Sequence, residues 1–168
     1  MRITGGEARG RRLHSVSSGL VRPSTGVIRE AIFNILPGVR DKLFLDLFAG
    51  SGSVGLEALS RGAGEAVFVE KDASAAGELR KNIASLGYEG RSEVLAMEVS
   101  KAIHLLNCRG RVFDIIFVDP PYDKKHIPEI LTALTGKSAG TARLLAREGV
   151  LVFQHSGREE IEAPEVFT

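Results

Sequence analysis

Residues 46–55 read DLFAGSGSVG and join a run of apolar residues to a stretch with helical spacing. Glycine in such a turn lets the backbone approach a ligand closely and leaves free N–H groups at the start of the following helix. Glu70 ends the next apolar run, where a carboxylate could accept hydrogen bonds from ribose hydroxyls. The pattern predicts a strand, a loop and a helix that together bind a nucleoside-bearing cofactor.

Short β-branched or aromatic runs alternate with helical stretches from residue 43 onward. This alternation is typical of repeated βαβ units around a mostly parallel sheet. The predicted strands are 43–47, 66–70, 92–97, 113–118 and 150–155, and the predicted helices are 54–60, 73–86, 100–106 and 127–134. We therefore predict an α/β, Rossmann-like sheet flanked by helices, in a single domain of residues 1–168 with its core in 41–168.

Residues 1–40 form a basic N-terminal arm and a helix in this prediction. Gly5, Gly6 and Gly10 are turn signals for a small hairpin in residues 2–16, and apolar spacing predicts a helix over 22–36. The segment holds seven arginines and two glutamates, a net charge of +5, while the rest of the chain carries −4. Guanidinium groups bind phosphate oxygens through paired hydrogen bonds, so the asymmetry favours a nucleic-acid contact.

The composition is that of an ordinary globular protein, with 43% hydrophobic and 26% charged residues. The longest apolar run is too short to span a membrane, and the N-terminus lacks the apolar core of a secretory signal, so a cytoplasmic location is expected. We also expect a monomer. The lone Cys108 is expected to be a small buried side chain. The histidines are dispersed and predict no metal site; they are His14, His104, His126 and His155.

The glycines also satisfy the dinucleotide pattern G-x-G-x-x-G, at Gly50, Gly52 and Gly55. An NAD(P)-dependent oxidoreductase is therefore an alternative. Asp46 favours a different cofactor, because an acid beside a pyrophosphate is repelled but one beside a cationic amino group is attracted. Glu98, just past the third predicted strand, could accept a hydrogen bond from an adenine amino group or could be a solvated loop residue.

Residues 119–122 read DPPY and follow the buried strand 113–118. An aromatic amino group is a poor nucleophile because its lone pair is delocalised, so transfer of a methyl group to it depends on orientation. The Asp119 carboxylate and the Pro120 carbonyl could accept both of its N–H bonds, while the paired prolines restrict the backbone. Tyr122 offers a face on which a flipped base could stack. The loop predicts an amino-methyltransferase that uses S-adenosylmethionine.

The chain resembles the RsmD-like family of bacterial 16S rRNA (guanine-N2) methyltransferases over nearly all of its length. The matching segments are RITGG at 2–6, RGRRL at 9–13, RPST at 22–25, REAIFNIL at 29–36, 46–55 with LEALSRGA at 56–63, Glu70 and the DPPY loop. The resemblance implies a Rossmann-like methyltransferase fold and a guanine N2 target in 16S rRNA, of the guanine-966 type, met as RNA or within a small-subunit assembly particle.

The resemblance also implies roles for individual residues. The reacting group would meet Asp119, Pro120, Pro121 and Tyr122. Cofactor contacts would fall on Asp46, Phe48, Ala49, Gly50, Ser51, Gly52, Glu70, Lys71, Glu98 and Asp119, and RNA contacts on Arg9, Arg11, Arg12, Arg22, Pro23 and Arg29. The chain departs from the family pattern at Gly26 and Val27, where an Asp-Arg pair is usual, and at Gln154, where an acid is common. Only thirteen residues follow His155, which are too few for the two closing strands that such methyltransferases generally have.

Three further interpretations stay open at this point. A noncatalytic RNA-binding module would keep the fold, but the intact Asp119 and glycine loop argue against it. Adenine-N6 and protein-glutamine methyltransferases share the D/N-P-P-Y loop. Glutamine enzymes generally begin that loop with Asn, and DNA adenine enzymes usually need a target-recognition region for which 168 residues leave little room.

Overall fold

The structure, a computed structural model, describes residues 1–14, 26–120, 127–135 and 143–154. Its strands are β1 (Leu43–Asp46), β2 (Glu65–Val69), β3 (Ser92–Leu95), β4 (Phe113–Val118) and β5 (Leu145–Phe153). Its helices are α1 (Gly26–Ile35), α2 (Ser53–Ser60), α3 (Ala73–Leu86), α4 (Val99–Cys108) and α5 (Ile127–Thr135), with a 3-10 turn at Glu89–Arg91. Strands and helices alternate as predicted from residue 43 onward.

The strands form one sheet in the order β3-β2-β1-β4-β5, with every pair parallel. The chain builds β1, β2 and β3 outward in one direction and then crosses to the other side of β1 to form β4. This crossing creates a switch point between β1 and β4, where doubly wound folds bind ligands at the carboxyl ends of the strands. The predicted α/β, Rossmann-like class is confirmed.

Helices cover both faces of the sheet, which explains why its strands are continuous apolar runs rather than alternating ones. Phe44 and Phe68 point to the layer formed by the N-terminal hairpin, α1, α2 and α3. Leu45 and Val67 point to the opposite layer, which contains α4 and α5. Each strand thus contributes alternate side chains to two cores.

The N-terminal residues form the predicted hairpin in a minimal version. One antiparallel bridge joins Arg2 to Arg12, and the Ile3 N–H donates to the Arg11 carbonyl at 3.0 Å. Gly6 has φ 77°, and a Cβ there would collide with the carbonyl group of Ser60 at the end of α2. Glycine at that position lets the hairpin pack directly on the sheet-covering helix.

Two local predictions were wrong. The last strand begins at Leu145 rather than at residue 150, because the pairing register shifts there and residues 146–149 of β5 stand opposite Asp114 alone. The strand thereby accommodates the polar 147–149 segment and stays paired to β4 on both sides of it. Cys108 is exposed rather than buried, since α4 buries the face that holds Ala102, Ile103 and Leu106.

Helix α1 is described from Gly26 to Ile35. Residues 22–25 of the predicted helix lie outside the described residues. His155 and the thirteen-residue tail also lie outside them. Among the residues that the structure describes, no helix has the length and apolar character needed to cross a membrane.

Candidate active site at the switch point

The topology brings three acidic residues to the carboxyl ends of three adjacent strands. Asp46 ends β1 and is in register with Phe68 of β2 and Phe117 of β4. Glu70 and Asp119 each follow two residues after these partners. The Leu47 N–H donates to the Phe117 carbonyl at 3.0 Å, so the β1 end stays joined to β4 up to the point where Asp119 leaves the sheet. The acids therefore meet at the switch point.

The loop after β1 turns on glycines that no other residue could replace without strain. Gly50 and Gly52 have φ values of 54° and 82°, in the left-handed region. A Cβ on Gly52 would collide with the Leu79 side chain of α3, and a Cβ on Gly55 would collide with the Phe68 ring of β2. The loop and the start of α2 are thus pressed against their neighbours, with the N-terminal end of α2 directed at the site.

Asp46 lies beneath this loop and is only 2% exposed. Its Oδ2 accepts a hydrogen bond from the Gly55 N–H at 3.2 Å, whereas its Oδ1 is buried with no hydrogen-bond partner among the described residues. Burial, helped by the nearby charges of Asp119 and Glu70, raises the pKa of Asp46 to about 7, against the lowering effect of the Gly55 and Phe48 N–H groups. The carboxylate is therefore suited to a cationic ligand group.

Glu70 is already engaged with the backbone of the loop. Its Oε2 accepts from the Gly50 N–H and its Oε1 from the Asp72 N–H, both at 2.8 Å. Each carboxylate oxygen retains a further lone pair. The side chain is thereby fixed in place at the loop with capacity to accept from a diol.

The other predicted cofactor contacts surround these acids. Ala49 donates its N–H to the Val69 carbonyl at 3.0 Å, and both Ala49 and Ser51 are buried while Phe48 is partly exposed. Lys71 and Glu98 form an exposed ion pair with 3.7 Å between Nζ and Oε1, past the ends of β2 and β3. The structure thus brings all the predicted cofactor residues to one edge of the sheet.

Asp119 and Pro120 follow β4 and are partly exposed at this same edge. Burial raises the pKa of Asp119 to about 6. The other two residues of the loop, Pro121 and Tyr122, lie outside the described residues, so their predicted roles stay predictions.

The predicted RNA contacts divide into two groups. Arg9, Arg11 and Arg12 are exposed on the hairpin, whereas Arg22 and Pro23 lie outside the described residues. Arg29 is only 1% exposed, and its Nη2 donates to the Arg2 carbonyl at 2.6 Å. The prediction that Arg29 contacts RNA was therefore wrong, because its charge is used inside the protein.

Arg29 belongs to a buried polar cluster around Glu57, a 0% exposed residue of α2. The Glu57 carboxylate accepts from the Thr4 N–H and Gly5 N–H at 2.8 and 2.7 Å and from Arg61 Nε at 2.9 Å, and it lies 3.9 Å from Arg29 Nε. A charged residue in an otherwise apolar helix was a signal for this cluster, and the sequence interpretation did not use it. The cluster attaches the arm to α2.

Asn82 was also missed. It is 0% exposed on α3, its Oδ1 accepts from the His14 N–H at 2.7 Å, and its Nδ2 donates to the carbonyls of His14 and Ser51 at 2.9 and 3.0 Å. One amide therefore joins the arm to the glycine loop. The available signal was a polar residue between Leu79 and Ile83, on the apolar face of α3.

The switch-point acids and the glycine loop, on a five-stranded parallel sheet, define the Rossmann-like fold of S-adenosylmethionine-dependent methyltransferases. An S-adenosylmethionine-dependent methyltransferase from Agrobacterium tumefaciens shares this fold, with a TM-score of 0.63 and 24% identity over 80% of this chain and 45% of that one.

The family is shown by the whole sequence. The family described as Conserved hypothetical protein 95, which is the RsmD family, matches residues 1–168, and the chain belongs to it. The Ribosomal RNA small subunit methyltransferase D of Escherichia coli K12 is 42% identical over 135 residues, which are 80% of this chain and 66% of that protein. A solved structure from Thermus thermophilus is 35% identical, has a TM-score of 0.81 and covers 96% of this chain and 89% of its own. The predicted family is confirmed, and membership in it argues against the oxidoreductase alternative.

Proposed function

We propose that this protein transfers a methyl group from S-adenosylmethionine to the exocyclic N2 of a guanine in small-subunit ribosomal RNA. The observation that carries the proposal is the pair of carboxyl groups, the buried Asp46 and the partly exposed Asp119, at the ends of two adjacent strands. The name of the Escherichia coli relative, Ribosomal RNA small subunit methyltransferase D, supports ribosomal RNA as the class of substrate.

The residues around Asp46 fit S-adenosylmethionine. The buried Oδ1 of Asp46 has no hydrogen-bond partner among the described residues, and a cationic amino group would satisfy it. Glu70 would accept from the ribose hydroxyls, and Glu98 from the adenine amino group. The cofactor, when bound, supplies a methyl group on a positively charged sulfur.

Asp119 and the Pro120 carbonyl would orient the substrate amine. By accepting its two N–H bonds, they would aim the nitrogen lone pair at the place where the bound cofactor would present its methyl group. The amine nitrogen then sheds one proton, which the Asp119 carboxylate can accept. Burial raises the pKa of Asp119 to about 6, so it is ionised at neutral pH and more basic than an exposed aspartate.

The exposed arginines of the arm, Arg9, Arg11 and Arg12, would hold the phosphate backbone, with Arg22 and Pro23 beside the substrate. The proposed acceptor is a guanine of the guanine-966 type in 16S rRNA, and the proposed form of the substrate is a small-subunit assembly particle. Adenine N6 is the alternative acceptor that the same loop chemistry would allow.

The proposal is tested by incubating the protein with labelled S-adenosylmethionine and small-subunit rRNA or subunits from cells that lack the enzyme. Digestion to nucleosides followed by mass analysis should find the label in N2-methylguanosine. Label in N6-methyladenosine would support the alternative, and absence of label from RNA and subunits would overturn the proposal.

A further inference from the structure

A cleft of about 400 Å³ lies between the N-terminal hairpin and the chain that follows α3. Three of its lining residues are basic, Arg9, Arg11 and Arg91, and one is acidic, Glu7. No part of this cleft belongs to the site at the switch point.

The cleft lies at the opposite edge of the sheet from the glycine loop. Helix α3 starts at Ala73, just after the carboxyl end of β2, and ends at Leu86, shortly before the first residue of β3. Because its 14 residues rise about 1.5 Å each, the two ends of α3 are about 20 Å apart. The glycine loop contacts the helix at Leu79 and Asn82, and the cleft lies beyond them at the Leu86 end.

Two of the three arginines of the cleft, Arg11 and Arg91, are held in position by contacts within the protein. Arg91 Nη2 donates to Glu7 Oε1 at 2.9 Å, and the Arg91 guanidinium lies 4.8 Å from the centroid of the buried Tyr88 ring. Arg11 Nη2 donates to the Ser85 carbonyl at 2.6 Å. A guanidinium has five N–H donors, so each of these groups keeps donors for a ligand.

The charges of the cleft favour an anion. Three guanidinium groups and one carboxylate leave an excess of two positive charges. The exposed Arg12 on the same hairpin extends the positive surface beyond the cleft. An open, preorganised set of guanidinium groups suits the non-bridging oxygens of a phosphodiester, which accept paired hydrogen bonds.

We propose that this cleft binds a backbone phosphate of the substrate RNA, away from the reacting base. The inference rests on the proposed function and adds Arg91 and Glu7 to the RNA-contacting surface. RNA would then follow the hairpin and α3 from one edge of the sheet to the other. Contacts to the backbone would recognise the shape of a folded RNA and not its base sequence.

The test compares Arg9→Gln and Arg91→Gln with Arg109→Gln. Arg109 is a matched control, since it is also partly exposed and ion-paired, with Nη1 2.6 Å from Glu93 Oε1, but is not part of the cleft. Binding of small-subunit rRNA should weaken about three- to tenfold in each cleft variant, and the slope of log affinity against log salt should decrease by about one. The loss is expected in KM for RNA more than in kcat, and the control should match the wild type.

Glu7→Gln gives a test of opposite sign. It removes the one negative charge of the cleft while Tyr88 still supports Arg91, so RNA should bind more tightly, and Glu93→Gln should have no such effect. Wild-type RNA affinity and KM in both arginine variants, or weaker binding by Glu7→Gln, would overturn the cleft proposal. Methyl transfer to rRNA tests the proposed function separately, because it can succeed while the cleft variants behave as wild type.

Discussion

Asp46 and Asp119 are chemically identical side chains that lie at the ends of adjacent strands and would perform different tasks. Asp46 is almost fully buried and has one oxygen without a hydrogen-bond partner within the described part of the chain, whereas Asp119 is partly exposed at the mouth of the site. Burial raises both pKa values, to about 7 and about 6. The environment thus separates a cofactor-binding acid from a substrate-orienting one.

The cofactor-free protein should be stabilised by Asp46→Asn above neutral pH. The pKa of Asp46 is higher in the folded protein than in the unfolded chain. The free energy of unfolding of the wild type therefore falls as the pH rises from about 4 to about 7 and the buried carboxyl group ionises. Asparagine stays neutral. The melting temperature of the variant should exceed that of the wild type at pH 8, and the difference should shrink towards pH 5.

The same variant should bind S-adenosylmethionine at least about tenfold more weakly, because a neutral amide cannot pair with the amino group. Glu93→Gln, which removes a partly exposed carboxylate paired with Arg109, serves as the control for a generic change of charge. A melting-temperature difference that is constant from pH 5 to pH 8 would contradict the assigned cost of ionising Asp46.

Arg29→Met tests whether Arg29 acts inside the protein. Removing the guanidinium deprives Glu57 of one cation and the Arg2 carbonyl of a donor, so unfolding free energy should fall by about 2–3 kcal/mol. RNA affinity of the folded variant should match the wild type, unlike that of Arg9→Gln. Denaturant unfolding and RNA titration at low temperature measure the two effects, and normal stability with weakened RNA binding would restore the original RNA-contact prediction.

At the scale of elements, α3 connects the arm to the cofactor loop. Leu79 packs against Gly52, Asn82 binds the backbone at His14 and Ser51, and Ser85 accepts from Arg11. These residues follow one face of the helix at spacings of three. The helix therefore holds the hairpin and the glycine loop in a fixed relation.

Asn82→Ala should loosen that relation. The variant loses three hydrogen bonds in a buried region, so unfolding free energy should fall by about 2–4 kcal/mol and the affinity for S-adenosylmethionine should decrease. Lys81→Ala, at an exposed neighbouring position paired only with Glu78 among the contacts described, should change stability by less than about 0.5 kcal/mol. Calorimetry and cofactor titration check both, and a wild-type cofactor affinity in a destabilised Asn82→Ala would exclude the coupling.

Local patterns predicted most elements, and long-range contacts explain the failures. The glycine loop and helix α3 follow from glycine spacing and helical periodicity, and α3 was predicted with its observed bounds. The early start of β5 depends on a bulge against β4, which no local pattern contains. Arg29 was misassigned because its partner Glu57 lies 28 residues away in the sequence.

At the scale of the whole molecule, the acids of the site were predictable because parallel strands deliver their carboxyl ends to one edge. The cleft that includes Arg91 was not, since Arg91 meets Glu7 only after the hairpin packs on the end of α3. The arm is attached at Glu57 and Asn82, and Arg9, Arg11 and Arg12 of its hairpin are exposed. A basic segment that looked like an appendage is thus an integrated part of the structure.

In the proposed reaction a methyl group is transferred at the switch point, where Asp46 binds the cofactor and Asp119 orients the substrate amine. Asp119→Ala should reduce methyl transfer to rRNA by at least about a hundredfold, as expected for loss of an orienting group, while S-adenosylmethionine binding survives because Asp46 and Glu70 still hold the cofactor. Asp114→Asn, at the other end of β4, is the matched control and should retain transfer. Undiminished transfer by Asp119→Ala, or loss of cofactor binding together with transfer, would contradict this division of roles.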